Sequence, residues 1–382
     1  MIQSVWPDLA GMLLAAGFWA AIERRFRWKV FEILPPIVLT YLTVTALSVA
    51  GAWSATPEIH GAQDMLVARL VPALLFLLMI NCDLRAILAL GPRVLGVFAC
   101  TSISLFVAFV VAYLLFRRWM PGDGWMPLAS LSGSWVGGTA NMIAVKQAIG
   151  MSDTALATTL LTDALCYSMW VVVLFAVARL APTFNRWTRA TSSADLTVAD
   201  TAPRAPATGD SVLLWLGIAL AVAALSSWLG ARLPVGSMVS ATTWTILVAT
   251  TAGLVAAHTP VARLPGAQAV SSALLISVVA VLASQSSFAG IAAAPLYLLC
   301  GVTIIVLHAL LLCLFARIFH FDLYLCGISS LAHIGGVAAT PVLAATYSRS
   351  LVPVGILLAL LGYILGTGFG LVVASVLSSL AS

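Results

Sequence analysis

Residues 131–148 read LSGSWVGGTANMIAVKQA, and residues 329–346 read SSLAHIGGVAATPVLAAT. Both lie inside stretches long enough to cross a bilayer, which takes roughly 20 mainly apolar residues. Each nevertheless carries a Gly-Gly pair with hydroxyl, amide or imidazole side chains beside it. Setting Gly137 against Gly335 gives an offset of 198 residues, which also pairs Ala140 with Ala338 and Ala144 with Val342. Upstream, LLMINCDLRAI (77–87) lies opposite VLASQSSFAGI (281–291), so Asn81 and Gln285 occupy comparable helix ends before comparable turns. Duplication of this kind is the sequence signature of secondary-transporter folds, whose substrate and ion sites lie at the repeat interface near mid-membrane.

The composition agrees. The chain has 382 residues, 62% hydrophobic and 8% charged, with a mean hydropathy of +1.09. A soluble domain carries about 25% charged residues to cover its surface, so the expected class is an all-α polytopic membrane protein. Eighteen basic residues against thirteen acids give a net charge of +5. The basic residues fall mainly between apolar runs, as in Arg24-Arg25-Phe26-Arg27-Trp28-Lys29, and act as juxtamembrane anchors and topology signals. No nucleic-acid partner is expected. The six cysteines form no C-x-x-C pair, which argues for packing rather than a disulfide framework or a zinc site.

Segmentation by length and hydropathy gives about twelve spans. They are 7–22, 33–52, 65–82, 94–116, 126–149, 155–181, 211–229, 241–257, 267–287, 294–316, 322–347 and 352–378. The first has no basic n-region before it and is expected to be a retained helix, not a cleaved signal peptide. Residues 182–210, rich in Thr, Ala, Pro, Ser and Asp, form a hydrophilic linker between a first half, 1–181, and a second, 211–382. Four cations follow span 1 and none precedes it, which sets the N-terminus outside. The count places one Gly-Gly segment fifth and the other eleventh. That even offset makes the repeats parallel unless one segment is re-entrant or miscounted.

Irregular backbone survives in hydrocarbon only where it is packed in protein or lines a wet cavity, and glycine at mid-span weakens the helix by about 1 kcal/mol relative to Ala. Two matched breaks therefore predict discontinuous helices, each directing N–H groups and carbonyls toward one spot. Ser132, Ser134, Gly137, Gly138, Thr139 and Asn141 surround the first, and His333, Gly335, Gly336 and Thr340 the second. Pro341 suits the first turn of a half-helix. Close helix packing is the competing use of the same small residues. Asp163, with Thr158, Thr159 and Thr162 beside it, lies too deep in its span to snorkel and is the candidate for Na⁺ or a proton. Its competing role is a packing carboxylate satisfied by a hydroxyl. Asp83 and Arg85 are expected to pair locally or face headgroups, Lys146 to snorkel or attract an anion, and His308 to be a satisfied interior histidine.

The chain has no G-x-S-x-G, Walker loop, H-E-x-x-H or paired catalytic carboxylates, so no enzyme and no cofactor are expected. The stretch GSWVGGTANMIAV, the NCDLR closing span 3, the TDAL of span 6 and HIGGVAATPVLA together resemble the integral-membrane family called domain of unknown function 819, the YjcL-like proteins. That family is grouped with the cation:proton antiporter and anion transporter superfamily. The resemblance implies two inverted repeats, two crossing discontinuous helices, a sodium/proton antiporter or bile-acid symporter-like core, a homodimer and elevator-type alternating access. In the antiporters the helix after the first broken one carries an Asp-Asp or Asn-Asp pair, and Thr162-Asp163 falls there, matching only the second position. The function expected is secondary active transport of a small anionic or zwitterionic organic solute coupled to Na⁺ or H⁺, in the bacterial inner (plasma) membrane. The alternatives are a cation/proton antiporter without organic substrate and a membrane receptor that transports nothing.

Overall fold

The computed structural model describes residues 5–26, 31, 36–52, 56–80, 82, 84–190, 207–235, 240–285 and 294–381. Asn81, Asp83, residues 27–29 of the basic run and residues 191–206 of the expected linker lie outside the described residues. Sixteen α-helices and no strand occur among those described. The first half holds α1 (Val5–Phe26), α2 (Pro36–Val49), α3 (Pro57–Met79), α4 (Leu84–Leu88), α5 (Gly91–Phe116), α6 (Trp125–Gly137), α7 (Thr139–Ile149), α8 (Asp153–Val177) and α9 (Ala181–Thr188). The second holds α10 (Gly209–Gly230), α11 (Ala241–Ala257), α12 (Ala267–Ser284), α13 (Ala294–Phe319), α14 (Leu323–Ile334), α15 (Gly336–Tyr347) and α16 (Val352–Ala381).

Local sequence sets many of the boundaries. Thr208 and Ser211 form a capping box at the start of α10, and Ser240 and Thr243 form one at the start of α11, each satisfying N–H groups that a helix start leaves unpaired. The Asp322 carboxylate accepts from the N–H groups of Tyr324 and Leu325 to open α14. Residues 182–188 of the expected linker are helical in α9, which stops at Arg189 in a left-handed conformation.

The chain divides into two compact units that interleave along the sequence: residues 1–81, 146–165 and 205–297 form the first, and 82–145, 166–204 and 298–382 the second. In the first, α10, α11 and α12 pack around α3. Gly253 of α11 lets the α3 backbone in so closely that a Cβ there would lie 2.6 Å from the Phe76 carbonyl oxygen. At the end of α12, Thr45 Oγ1 donates to the Ala283 carbonyl at 3.0 Å and Ser48 Oγ to that of Ser284 at 2.6 Å. These hydroxyls of α2 satisfy carbonyls that a helix end leaves without partners.

The second unit is organised around α16, against which α5, α6, α14 and α15 pack. Here the two Gly-Gly segments depart from expectation. Ser130 Oγ donates to the Met142 carbonyl at 2.9 Å, although twelve residues of straight helix would set them about 18 Å apart. The rings of Tyr324 and Tyr347 stack at 4.7 Å between centroids, across a span that straight helix would stretch to about 34 Å. Each discontinuous helix therefore doubles back into a hairpin, α6–α7 and α14–α15, where the family resemblance implies crossing helices and the segmentation counts each as one span unless re-entrant. Each turn takes one positive-φ glycine and is sustained by packing of the two arms along each other and onto α16.

Seven helices among the described residues are long and apolar enough to span a membrane: α3, α5, α8 with α9, α10, α12, α13 and α16. The rest of the twelve expected spans are α1, the shorter α2 and α11 of 14 and 17 residues, and the two hairpins. Leu213, Leu214, Leu225 and Trp228 on α10 and Val306, Leu310 and Leu314 on α13 are exposed, as lipid-facing residues of a polytopic membrane protein are. The chain is an all-α polytopic membrane protein.

Glycines on α16 make the hairpin contact possible. A Cβ on Gly366 would lie 2.5 Å from Gly137 Cα, whereas one on Gly368 would meet nothing within 4 Å. Gly366→Ala is therefore expected to destabilise the detergent-solubilised protein by about 1–3 kcal/mol through overpacking, and Gly368→Ala to leave the thermal midpoint unchanged or slightly raised. Equal midpoints for the two variants would contradict this packing.

Candidate functional site

The first hairpin turns at Gly138, with φ 79° and ψ 174°, and the second at Gly336, with φ 60°. L-residues avoid this half of backbone space because Cβ collides with the neighbouring carbonyl, so both positions call for glycine. The two residues are 198 apart, the offset of the sequence match. Gly138 N–H donates to the Ser134 carbonyl at 2.6 Å and Gly335 N–H to that of Leu331 at 2.7 Å, closing the first arm of each hairpin.

Both turns meet one side chain. A Cβ on Gly138 would lie 3.1 Å from Tyr363 Cε1, and one on Gly336 would lie 3.6 Å from the same atom. On its other side Gly335 approaches Tyr167, whose Cε2 would be 2.9 Å from an added Cβ. Next to Tyr363, Gly362 backs onto the Val136 carbonyl of the first hairpin and lies near that of Ala332 in the second. The structure thus brings the two expected breaks together on α16, with Tyr363 between them.

Asn141 holds the first turn in place. Its Nδ2 donates to the Gly137 carbonyl at 2.5 Å and to the Tyr363 carbonyl at 3.3 Å, and its Oδ1 accepts from the Thr367 hydroxyl. One amide thereby closes the break and ties it to α16. Thr340 does part of this for the second turn, donating to the Gly336 carbonyl at 2.6 Å. Ser132 is buried and donates to the Ala129 carbonyl at 2.7 Å, and Ser134 is buried beside it. Among the sequence-derived residues, Gly138, Thr139 and Gly335 are partly exposed, while Gly137, Asn141, His333, Gly336 and Thr340 are buried. Pro341 sits in the second turn of α15, not the first as the sequence suggested. Its missing N–H leaves the Val337 carbonyl without its intrahelical donor.

His333 occupies the position corresponding to Trp135. Both are fully buried, and each packs on a phenylalanine of α5: Trp135 on Phe109 with centroids 5.5 Å apart, His333 on Phe98 at 4.1 Å. The His333 ring is spoken for at both nitrogens. Nδ1–H donates to the Ser329 carbonyl at 2.9 Å, which leaves Nε2 to accept from the Ser102 hydroxyl at 2.8 Å. His308 anchors a second chain whose donors can be assigned in one direction. Trp170 Nε1–H donates to Ser330 Oγ at 2.9 Å, and Ser330 donates to His308 Nε2 at 2.8 Å. His308 Nδ1–H donates to Ser104 Oγ at 2.7 Å, and Ser104 donates to the Thr101 carbonyl at 2.7 Å. Each buried histidine is satisfied as a neutral ring, as buried polar groups require.

Asp163, Thr162 and Thr159 lie on the part of α8 that belongs to the first unit. Asp163 is half-buried and engaged with the protein around it. Thr159 Oγ1 donates to the Ala155 carbonyl at 3.0 Å, while Thr162 Oγ1 is buried with no hydrogen-bond partner. Lys146 neither snorkels nor faces outward. It is buried and pairs with Asp153 at 2.7 Å, because the turn between α7 and α8 folds the two together. Among the described residues no cluster of three His, Cys, Asp or Glu could hold a metal.

Tyr363, Tyr167 and Thr367 were not singled out from sequence, since nothing in a lone tyrosine or threonine marks it among apolar neighbours. The spacing of Gly362, Gly366 and Gly370 was a readable signal: small residues every fourth position form one close-packing face of a membrane helix.

The model of a family described as protein of unknown function (DUF819) matches residues 9–380. No curated protein matches the chain.

If Asn141 holds the turn, Asn141→Ala leaves two carbonyls and a hydroxyl without their partner, at a cost of about 2 kcal/mol or more. The expected result is a clear fall in the thermal midpoint, larger than that of Thr139→Ala. An Asn141→Ala protein as stable as the parent would remove this role.

Proposed function

The chain belongs to the DUF819 family of proteins of unknown function, and from that premise we propose that it is a secondary active transporter, not an enzyme. Its cargo is a small organic solute, anionic or zwitterionic, coupled to Na⁺ or H⁺. The observation that carries this reading is the meeting of two hairpin turns at Tyr363, at positions matched by the internal sequence offset. Broken helices of this kind are costly in a membrane protein unless packed in protein or lining a cavity, and in secondary transporters they build the substrate site.

The chemistry left over at the turns favours an anion. The Gly137 carbonyl is taken by Asn141, and those of Val136 and Ala332 are covered by Gly362. In α7 the N–H groups of Asn141 and Met142 already donate to the Gly138 carbonyl at 2.9 and 3.2 Å. Those of Thr139 and Ala140, at the positive end of the helix, are the ones that a carboxylate or phosphate would use. On this reading Gly138, Thr139, Gly335, Gly336, Tyr363 and Tyr167 touch the solute. Ser132, Ser134, Gly137, Asn141, His333 and Thr340 hold the frame that aims them.

The coupling cation is assigned to Asp163 with Thr162 and Thr159. A carboxylate inside a span costs about 2.5 kcal/mol or more unless it meets a cation or a wet cavity, and the unpartnered Thr162 hydroxyl supplies a further oxygen. Hairpins that return to their starting side add no crossing. Counting α1, α2, α3, α5 and α8 as crossings in the first half and α10, α11, α12, α13 and α16 in the second, equivalent helices then run in opposite directions, and this supports inverted repeats and elevator-type alternating access. A homodimer in the bacterial inner membrane completes the proposal. A cation/proton antiporter that carries no solute is the second reading, favoured by Asp163 alone.

Purified protein tests both. Na⁺ or low pH should raise the thermal midpoint, since a ligand at a hundredfold its Kd stabilises the folded state by about 2.7 kcal/mol, and Asp163→Asn should abolish that increment while retaining the fold. In liposomes, uptake of a carboxylate or phosphate ester found in a thermal-shift screen should depend on the same cation and be lost in Tyr363→Ala. Cation-driven proton flux without any solute would select the antiporter, and no flux of either kind would remove the transport reading.

A further inference from the structure

Asp8 lies in the first turn of α1 and Gln63 in the second turn of α3, both in the first unit. They are sealed from the exterior, Asp8 at 0% and Gln63 at 2% exposure. Gln63 Nε2 donates to Asp8 Oδ2 at 2.8 Å. The second oxygen of the carboxylate and the amide oxygen are unsatisfied: Asp8 Oδ1 and Gln63 Oε1 are both buried and have no hydrogen-bond partner. An ionised carboxylate and an amide oxygen can only accept, so as a charged pair they leave two buried acceptors and a buried negative charge uncompensated.

One proton resolves all three. A carboxylic acid and a primary amide have complementary edges, the acid offering C=O and O–H, the amide N–H and C=O. Placed on Oδ1, the proton turns that atom into a donor, and directed at Gln63 Oε1 it would close a ring of two hydrogen bonds with the Nε2 to Oδ2 bond already described. Two oxygens are too few for a hard metal cation, which takes about six or more.

We propose that Asp8 and Gln63 form a proton-binding site, separate from Asp163, in which Asp8 is held as a neutral acid between α1 and α3. This stands independently of the transport reading. The ionisable neighbours are few. His60 on α3 acts on Asp8 electrostatically, and its protonated form favours release of the proton. Glu58 and Asp64 lie on the same helix, and Asp64 accepts from Gln285 at 3.2 Å. Of the helices packed on α1, α2 brings Tyr41, whose hydroxyl donates to the Asp153 carbonyl at 2.7 Å, and α12 brings no ionisable residue. Loss of the proton strands a charge with a single donor, so α1 is predicted to loosen from α3 as pH rises through the site's titration.

Infrared difference spectroscopy of the full-length protein in lipid, in H₂O and D₂O at neutral pH, reads the site directly. The expected result is a carbonyl band of a protonated carboxylic acid that shifts on deuteration and disappears in Asp8→Asn. It should be equally strong in Na⁺, K⁺ and choline buffers. Asp8→Asn keeps the same two-bond edge, so its thermal midpoint should match the parent and lose pH dependence. Should that variant not fold, Gln63→Met removes the amide without adding charge. The band should then move to the position of an acid lacking a hydrogen-bonded carbonyl. A band absent from the parent, one that vanishes when Na⁺ is added, or one unmoved in Gln63→Met would overturn the proposal.

Discussion

The second unit depends on the backbone contact between the α6–α7 hairpin and α16. Gly137 and Gly366 come so close that neither tolerates a Cβ, and one turn further along Gly133 and Gly370 repeat the approach. In a bilayer, association of helices gains little from leaving the surrounding apolar phase, so van der Waals packing between small residues carries it. The contact also sets what else is possible. It puts the Tyr363 carbonyl and Thr367 within reach of Asn141, and it carries the Tyr363 ring to the tip of each hairpin.

Polar residues in this unit follow from the same setting. Ser102, Ser104, Ser329, Ser330 and Trp170 satisfy two buried histidines, as the donor order running from Trp170 through His308 to the Thr101 carbonyl illustrates. A network in which each donor has an acceptor rigidifies its surroundings, while a single missing partner is costly at low dielectric. The contrast with Asp8 and Gln63 is instructive, because there the heavy atoms alone do not balance and a proton is needed to complete the set.

The membrane class and the location of both breaks were legible in the residues. The Gly-Gly pairs, their common offset and the low charge content are local or compositional properties, and they correspond to the turns at Gly138 and Gly336. The roles of Asn141 and His333 were less legible. Residue type marks both as capable of binding a solute, yet Asn141 is saturated by Gly137, Tyr363 and Thr367, and His333 by Ser329 and Ser102. Saturation depends on partners up to 231 residues away in the chain, which no local pattern encodes.

By itself the sequence determined that this chain belongs in a bilayer, where two of its helices must be interrupted, and that an aspartate sits deep within one span. Those outcomes rest on transfer energies and backbone sterics that act residue by residue. The tertiary structure alone decided that the interrupted helices double back instead of running through. It also decided that their tips share Tyr363. A glycine permits a turn without specifying its direction. The direction comes from long-range packing, here of each hairpin's second arm against its first and against the glycine face of α16.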